Sequence, residues 1–302
     1  MTPTIILTGF LGAGKTTLLN RLIDHYNSIN TVLLINEFGT MGIDGQLLKK
    51  GSYQKIELNR GSLFCICIRT DFIAEVKRIT EEIKPDLLII EATGLADTSD
   101  MEKMLALPEL RKRLNLKACV CMVDAQNFKK VRKYAKAPDT QVKCSDIVLI
   151  NKIDLVLKTE LDNIVNEIKI LAPGKPIFLT EHTKFPLDEL DKINRIQIPV
   201  SSEPGSGMPD PFASLSLEGK GSFTKSRFNE FIEKAKNNLF RLKGFINIDN
   251  EMYHVDGNTE SINIYKVKTD LQIDKNNQLV FIGKNLNKES LKEKFIQLLE
   301  KS

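Results

Sequence analysis

Ile5-Ile6-Leu7-Thr8-Gly9-Phe10-Leu11-Gly12-Ala13-Gly14-Lys15-Thr16 is an apolar run followed at once by a complete G-x-x-x-x-G-K-[ST] segment. Glycines let the backbone curl so that several amide N–H groups point inward at phosphate oxygens, and the turn delivers that anion to a helix N-terminus. Lys15 is placed to reach the β- and γ-phosphates, and the Thr16 hydroxyl to take one position on a magnesium ion. Gly9, Gly12, Ala13, Gly14, Lys15, Thr16 and Thr17 are the expected phosphate contacts. A glycine-rich turn with no ligand is the alternative, and the strand before it and the helix after it argue against that. The stretch predicts a nucleoside triphosphate site.

Outward from this segment the chain alternates between two periodicities. Leu18, Leu19, Leu22 and Ile23 form a helical stripe over Lys15 to Tyr26. Thr31 to Ile35 and Tyr53 to Leu58 read as strands, and Asp71 to Ile83 as a helix burying Phe72, Ile73, Val76, Ile79 and Ile83. Leu87 to Ile90, Ala118 to Val123 and Ile147 to Ile150 are apolar on both faces, as central strands of a parallel sheet are. Pro176 to Thr180 supplies another. Strands separated by helices predict a doubly wound, mostly parallel α/β domain.

Pro199 to Pro211 is too rich in Pro, Gly and Ser to continue a helix or a central strand. Beyond it, Phe212 to Leu217 alternates as a strand, and Phe228, Phe231, Ile232, Ala235 and Leu239 fit one helix face. Short strands at hairpin spacing and a last helix follow, which predicts a small antiparallel α+β domain. The expected organisation is a nucleotide-binding domain over 1–185, a linker over 186–211 and the α+β domain over 212–302.

Bulk properties narrow the function classes. Over 302 residues, 43 basic side chains against 39 acidic ones give a net charge of +4, no reason to invoke nucleic acid or an acidic membrane. The cluster Lys129, Lys130, Arg132, Lys133 and Lys136 alternates with Phe128 and Val131 and reads as a solvated helix face. No stretch is apolar for long enough to span a bilayer. The phosphate segment opens at residue 9, which leaves no room for a signal peptide before it, and five cysteines fit reduced thiols. The expectation is a soluble, cytoplasmic protein.

Two further motifs complete the nucleotide reading. Asn151-Lys152-Ile153-Asp154 follows an apolar strand. The Asp154 carboxylate can accept from N1–H and the N2 amine of guanine, whereas adenine would leave it unpaired. Asn151 can hold the base at O6 and N7 or tie its loop to the phosphate loop, and the Lys152 stem can lie across the base. Leu87-Leu88-Ile89-Ile90-Glu91-Ala92-Thr93-Gly94 ends a buried strand with a carboxylate that can hold magnesium, and Gly94 can bring its amide close to the γ-phosphate.

With these residues the sequence resembles the CobW-like family of GTPases, within the SIMIBI class. The matches are Gly9 to Leu19, Asn36-Glu37-Phe38-Gly39 with Gly42-Ile43-Asp44, Glu91 to Leu95, and Asn151 to Asp154, with Gln141 and Asp146 ahead of the last. Arg241-Leu242-Lys243-Gly244-Phe245 is similar to the family's C-terminal Arg-x-Lys-Gly signature. The resemblance implies GTP hydrolysis to GDP with magnesium on Thr16 and Glu91. It implies coupling to metal handling for cobalamin synthesis, zinc homeostasis or metalloenzyme maturation. A client metalloprotein or apoenzyme is the implied partner. Lys15, Thr16, Glu37, Glu91 and Gly94 are the implied catalytic group, Asn36 to Asp44 the first switch, and turnover slow until a partner or a second copy completes the site.

The family's Cys-x-Cys-Cys is broken here to Ser62-Leu63-Phe64-Cys65-Ile66-Cys67. In an extended segment Cys65 and Cys67 point the same way and can share one zinc or cobalt ion. Two thiolates fall short of a four-ligand site, and the resemblance offers Glu37 as a third ligand. Both cysteines can equally be buried small hydrophobes. Cys119 and Cys121, in an apolar strand, read as core. Two other readings stand beside the metal-coupled one: a metal-independent GTPase switch acting on a protein partner, and a P-loop kinase for a small molecule.

Overall fold

The computed structural model describes residues 1–36, 53–58, 66–92, 94, 98–133, 135–193, 195, 213–235, 239–257, 262–267, 276–283 and 286–300. These fall into two compact units, before and after the Pro- and Gly-rich stretch.

In the first unit seven strands form one sheet: β1 (Thr2–Gly9), β2 (Thr31–Asn36), β3 (Tyr53–Leu58), β4 (Leu87–Glu91), β5 (Leu114–Asp124), β6 (Ile147–Asn151) and β7 (Ile177–Thr180). Their order is β3-β2-β4-β1-β5-β6-β7, and every ladder is parallel. Parallel strands need crossovers, and the helices that supply them cover both faces. They are α1 (Lys15–His25), α2 (Ile66–Arg78), α3 (Thr98–Leu105), α4 (Pro108–Arg111), α5 (Phe128–Arg132), α6 (Ala137–Cys144) and α7 (Lys158–Leu171). Alternation divides β1 cleanly. Ile5 and Leu7 pack with Leu18, Leu19 and Leu22 of α1, while Ile6 packs with Phe72, Val76 and Met101 on the opposite face. Central β1 lies between β4 and β5, neither its neighbour in sequence, so the carboxyl end of β1 is a switch point where such sheets bind ligands.

Two sequence expectations are corrected. The helix expected from Asp71 begins at Ile66, because no Gly or Pro between them stops the helix from running upstream. Its far end widens into a π turn over Ile79–Ile83, where Lys84 N–H donates to Ile79 O at 2.9 Å. Leu239 is not on the helix that carries Phe228. That helix ends at Ala235, and Leu239 opens a strand that reaches the same apolar cluster from the sheet side. The basic run at Lys129 does form a helix face, with Phe128 and Val131 turned inward and Arg132 paired to Asp139 and Glu167. The packed part of the first unit continues past residue 185. Leu187 and Leu190 are buried in a 3-10 turn, and Arg195, 7% exposed, pairs with Glu102 at 2.6 Å and Asp146 at 3.4 Å.

The second unit is antiparallel, in the order β11-β10-β9-β12-β8. Its strands are β8 (Ala213–Gly219), β9 (Leu239–Ile248), β10 (Glu251–Gly257), β11 (Ile262–Lys266) and β12 (Asn277–Gly283), with α8 (Lys225–Ala235) and α9 (Lys288–Glu300). Phe223, Phe228, Phe231, Phe281 and Phe295 make the centre of its core. Arg241 of the Arg-x-Lys-Gly segment pairs with Asp256 at 2.8 Å.

Asn277 is fully buried and satisfies three backbone groups. Its Oδ1 accepts from Asn247 N–H at 2.7 Å, and its Nδ2 donates to Gly219 O and Gly221 O, both at 3.0 Å. Asn277→Ala leaves all three without this partner, so chemical denaturation is expected to report a loss of about 2–4 kcal/mol.

Candidate functional site

The phosphate segment is built by β1 ending at Gly9 and α1 beginning at Lys15. Gly9, Gly12 and Gly14 all take positive φ, 132°, 78° and 111°. At Gly14 the requirement is steric as well, since a Cβ there would lie 2.5 Å from Asn151 Nδ2. Lys15 is 8% exposed, and its Nζ donates to Gly9 O at 2.8 Å and Phe10 O at 3.4 Å. That bond folds the ammonium back over the loop. Ala13 is buried, Thr16 half-buried and Thr17 exposed.

Register places the carboxylate expected from sequence to hold magnesium next to this loop, because Leu7 of β1 pairs with Glu91 of β4. Glu91 is 5% exposed, and its Oε2 has no hydrogen-bond partner among the described residues. Burial pushes its carboxyl above the usual range, while the Lys15 charge pulls the other way. A buried carboxylate oxygen left without a donor is matched to a hydrated divalent cation, so the residues present fit magnesium. Gly94 presses against the phosphate loop: a Cβ there would come within 2.7 Å of Leu11 N. Gln141 Nε2 holds that turn by donating to Gly94 O at 3.1 Å. The Thr8 and Thr98 hydroxyls, both fully buried, meet at 2.9 Å and tie the start of α3 to the strand that feeds the loop.

At the base end the structure shows the loop-tying one of the two roles open to Asn151. Its Nδ2 donates to Ala13 O at 2.9 Å, and its Oδ1 accepts from Thr180 Oγ1 at 3.1 Å and Thr183 N–H at 3.0 Å. The amide is buried and fastens its loop to the phosphate loop. Lys152 adopts φ 63° and its Nζ donates to Asp124 Oδ2 at 2.7 Å. Asp124 also accepts from Gln126 N–H at 2.9 Å and Asn127 Nδ2 at 3.0 Å, so it is a fixed anchor for the lysine stem. Asp154 stands exposed in the 3-10 turn Ile153–Leu155, open to a base from solvent.

Sequence reasoning missed Asp124, Thr180 and Thr183. Asp124 could have been found, since it is the acidic residue ending an apolar strand, one strand away from Asn151. Thr180 and Thr183 carried no signal, because their roles come from the pairing of Asn151 with Thr180 across β6 and β7.

The transition-metal residues are only partly in view. Glu37 and Cys65 lie outside the described residues, as does the first-switch stretch beyond Asn36. Cys67 lies in the first turn of α2, not in an extended segment. Cys119 and Cys121 are core residues. Burial pushes the Cys121 thiol up to about 12 and raises Cys119 as well, so both stay protonated.

Comparison with known proteins gives matches along most of the chain. The CobW/HypB/UreG nucleotide-binding domain matches residues 3–179, and the cobalamin synthesis protein cobW C-terminal domain matches residues 212–299. The zinc chaperone CobW of Sinorhizobium sp. is 29% identical over 206 residues, which cover 59% of this chain and 58% of that protein. Zinc-regulated GTPase metalloprotein activator 1 of Dictyostelium discoideum is 24% identical over 296 residues, covering 80% and 62%. The zinc chaperone YjiA of Escherichia coli is 26% identical over 265 residues, covering 82% of each. The match thus takes in about six-tenths of the length of the first two relatives.

The Glu91 carboxyl titrates higher in the folded chain than in the unfolded one, so the folded state favours its neutral form. The stability this confers is complete below the ordinary carboxylate range and is lost as pH rises through the elevated value. Glu91→Gln is therefore expected to melt above the parent at neutral pH when both are free of nucleotide, with the gap closing in acid. The same variant should lose the magnesium-dependent part of its nucleotide affinity, read by titration with and without the cation.

Proposed function

The chain belongs to the CobW/HypB/UreG family, and on that premise we propose that it binds GTP and hydrolyses it to GDP and phosphate. The observation that carries this reading is the Asn151 tether, which joins a phosphate loop to a guanine-type Asn-Lys-x-Asp segment in one site. Gly9 to Thr17 would cradle the triphosphate, Lys15 exchanging its carbonyl partners for phosphate oxygens. Asp154 reads the 2-amino face of guanine, and Lys152, steadied by Asp124, lies along the base. Thr16 and Glu91 would hold magnesium, which neutralises charge on the β- and γ-phosphates. Gly94 presents its amide to the γ-phosphate, and Gln141 keeps that turn in place. Turnover by these groups alone is slow.

The nucleotide state is coupled to a transition metal and a client metalloprotein. Relatives named as zinc chaperones and as a metalloprotein activator support this, with Cys65, Cys67 and Glu37 as the ligand set. Linkage requires that zinc or cobalt change GTP affinity by the factor by which GTP changes metal affinity. The broken Cys-x-Cys-Cys motif favours a second reading, a GTPase switch that acts on a protein partner without metal.

Calorimetry with GTP, GDP and ATP in excess magnesium tests the first reading. GTP is expected to bind and ATP not, and Asp154→Ala should lower the preference for GTP by about 10- to 100-fold, the worth of hydrogen bonds to a charged group. Equal affinity for ATP would end it. Repeating the GTP titration with zinc or cobalt, and with Cys65→Ser/Cys67→Ser, decides between the two couplings: unchanged GTP affinity in all of them leaves the metal-independent switch.

A further inference from the structure

We propose that His25, Asp188 and Asp191 form a second, exchangeable site for a zinc-class divalent cation, a reading independent of the cysteine ligand set. His25 is the last residue of α1, Asp188 lies within the 3-10 turn Leu187–Leu190 and Asp191 follows its end. One donor atom from each residue lies within 4.8 Å of the others, and His25 Nε2 is 3.7 Å from Asp188 Oδ1. Ligand atoms on a tetrahedral zinc with bonds of about 2.0–2.1 Å stand about 3.4 Å apart, so a small rotation of exposed side chains closes the triad. One imidazole nitrogen and two carboxylate oxygens suit zinc or cobalt better than magnesium, which prefers oxygen and retained water. Three protein ligands leave a position open for solvent or an incoming ligand, as a transfer site requires.

The surroundings support the carboxylates. The Tyr26 hydroxyl donates to Asp191 Oδ1 at 3.5 Å. An outer-shell donor of this kind orients a ligating oxygen. Lys117 Nζ, 3.8 Å from Asp191, competes for the same atom, but a pair this exposed contributes little.

Both halves of the triad are fastened to the nucleotide site. His25 ends the helix that Lys15 begins. Arg21 of the same helix donates to Thr183 O and Phe185 O, gripping the segment that leads to Asp188. Thr183 N–H in turn donates to Asn151, whose amide holds Ala13. The cation would bridge two elements whose spacing is set at the phosphate loop.

The test uses the full chain carrying Cys65→Ser/Cys67→Ser, which removes the cysteine site and makes failure of that reading distinguishable from failure of this one. Zinc calorimetry is expected to show one equivalent bound, and cobalt a spectrum of nitrogen and oxygen ligation with no thiolate charge-transfer band. Adding His25→Ala, or Asp188→Asn with Asp191→Asn, should weaken zinc by about tenfold or more, since even outer-shell changes cost that much. All three side chains are at the surface, so thermal melts of the variants should match the parent. No zinc binding in the double-serine chain, or undiminished binding after His25→Ala, would overturn the proposal.

Discussion

One buried amide holds the nucleotide end of this molecule together. Asn151 reaches from the end of β6 to the carbonyl of Ala13 and, with its other atom, takes hydrogen bonds from Thr180 and Thr183. Three loops that are far apart in sequence thereby acquire one geometry. A satisfied amide in a dry place is worth more than its bonds counted singly, because losing it strands several buried partners at once. The distance between the phosphate cradle and the base pocket depends on this side chain, and Gly14 has no Cβ because that side chain occupies the space.

The sheet makes such a convergence possible. Parallel strands deliver their carboxyl ends to one rim, so Gly9, Glu91, Asp124, Asn151 and Thr180 all arrive on the same side. Apolar side chains on both faces keep the strands from slipping: a one-residue shift would turn Ile6 and Leu7 into the wrong layers. Polar contacts then orient the loops locally. Lys152 is oriented by Asp124, and the Gly94 turn is oriented by Gln141.

Much of this was legible in the chain because its signals are short-range. A continuous apolar run means a buried parallel strand, so β1, β4, β5 and β6 could be placed by reading, and with them the glycine-rich loop that follows β1. What could not be read depends on contacts between distant segments. The hydrogen bonds that Asn151 takes from Thr180 and Thr183 depend on β7 lying beside β6. Helix spacing put Leu239 on the wrong element because a strand residue can fill the same hydrophobic gap. Cys67 was read as extended, since nothing near it in sequence reports that α2 starts at Ile66. Arg195 looked like part of a linker, yet its guanidinium is buried between Glu102 and Asp146, which only the fold brings together.

Glu91 has a cost that reaches beyond chemistry. Glu91 Oε2, buried without a hydrogen-bond partner among the described residues, destabilises the ligand-free molecule, and the nucleotide and cation proposed for this site would relieve that by mass action. Under the proposed function, the share of this polypeptide exposed to proteases in a cell follows the guanine nucleotide pool, rising when that pool is depleted.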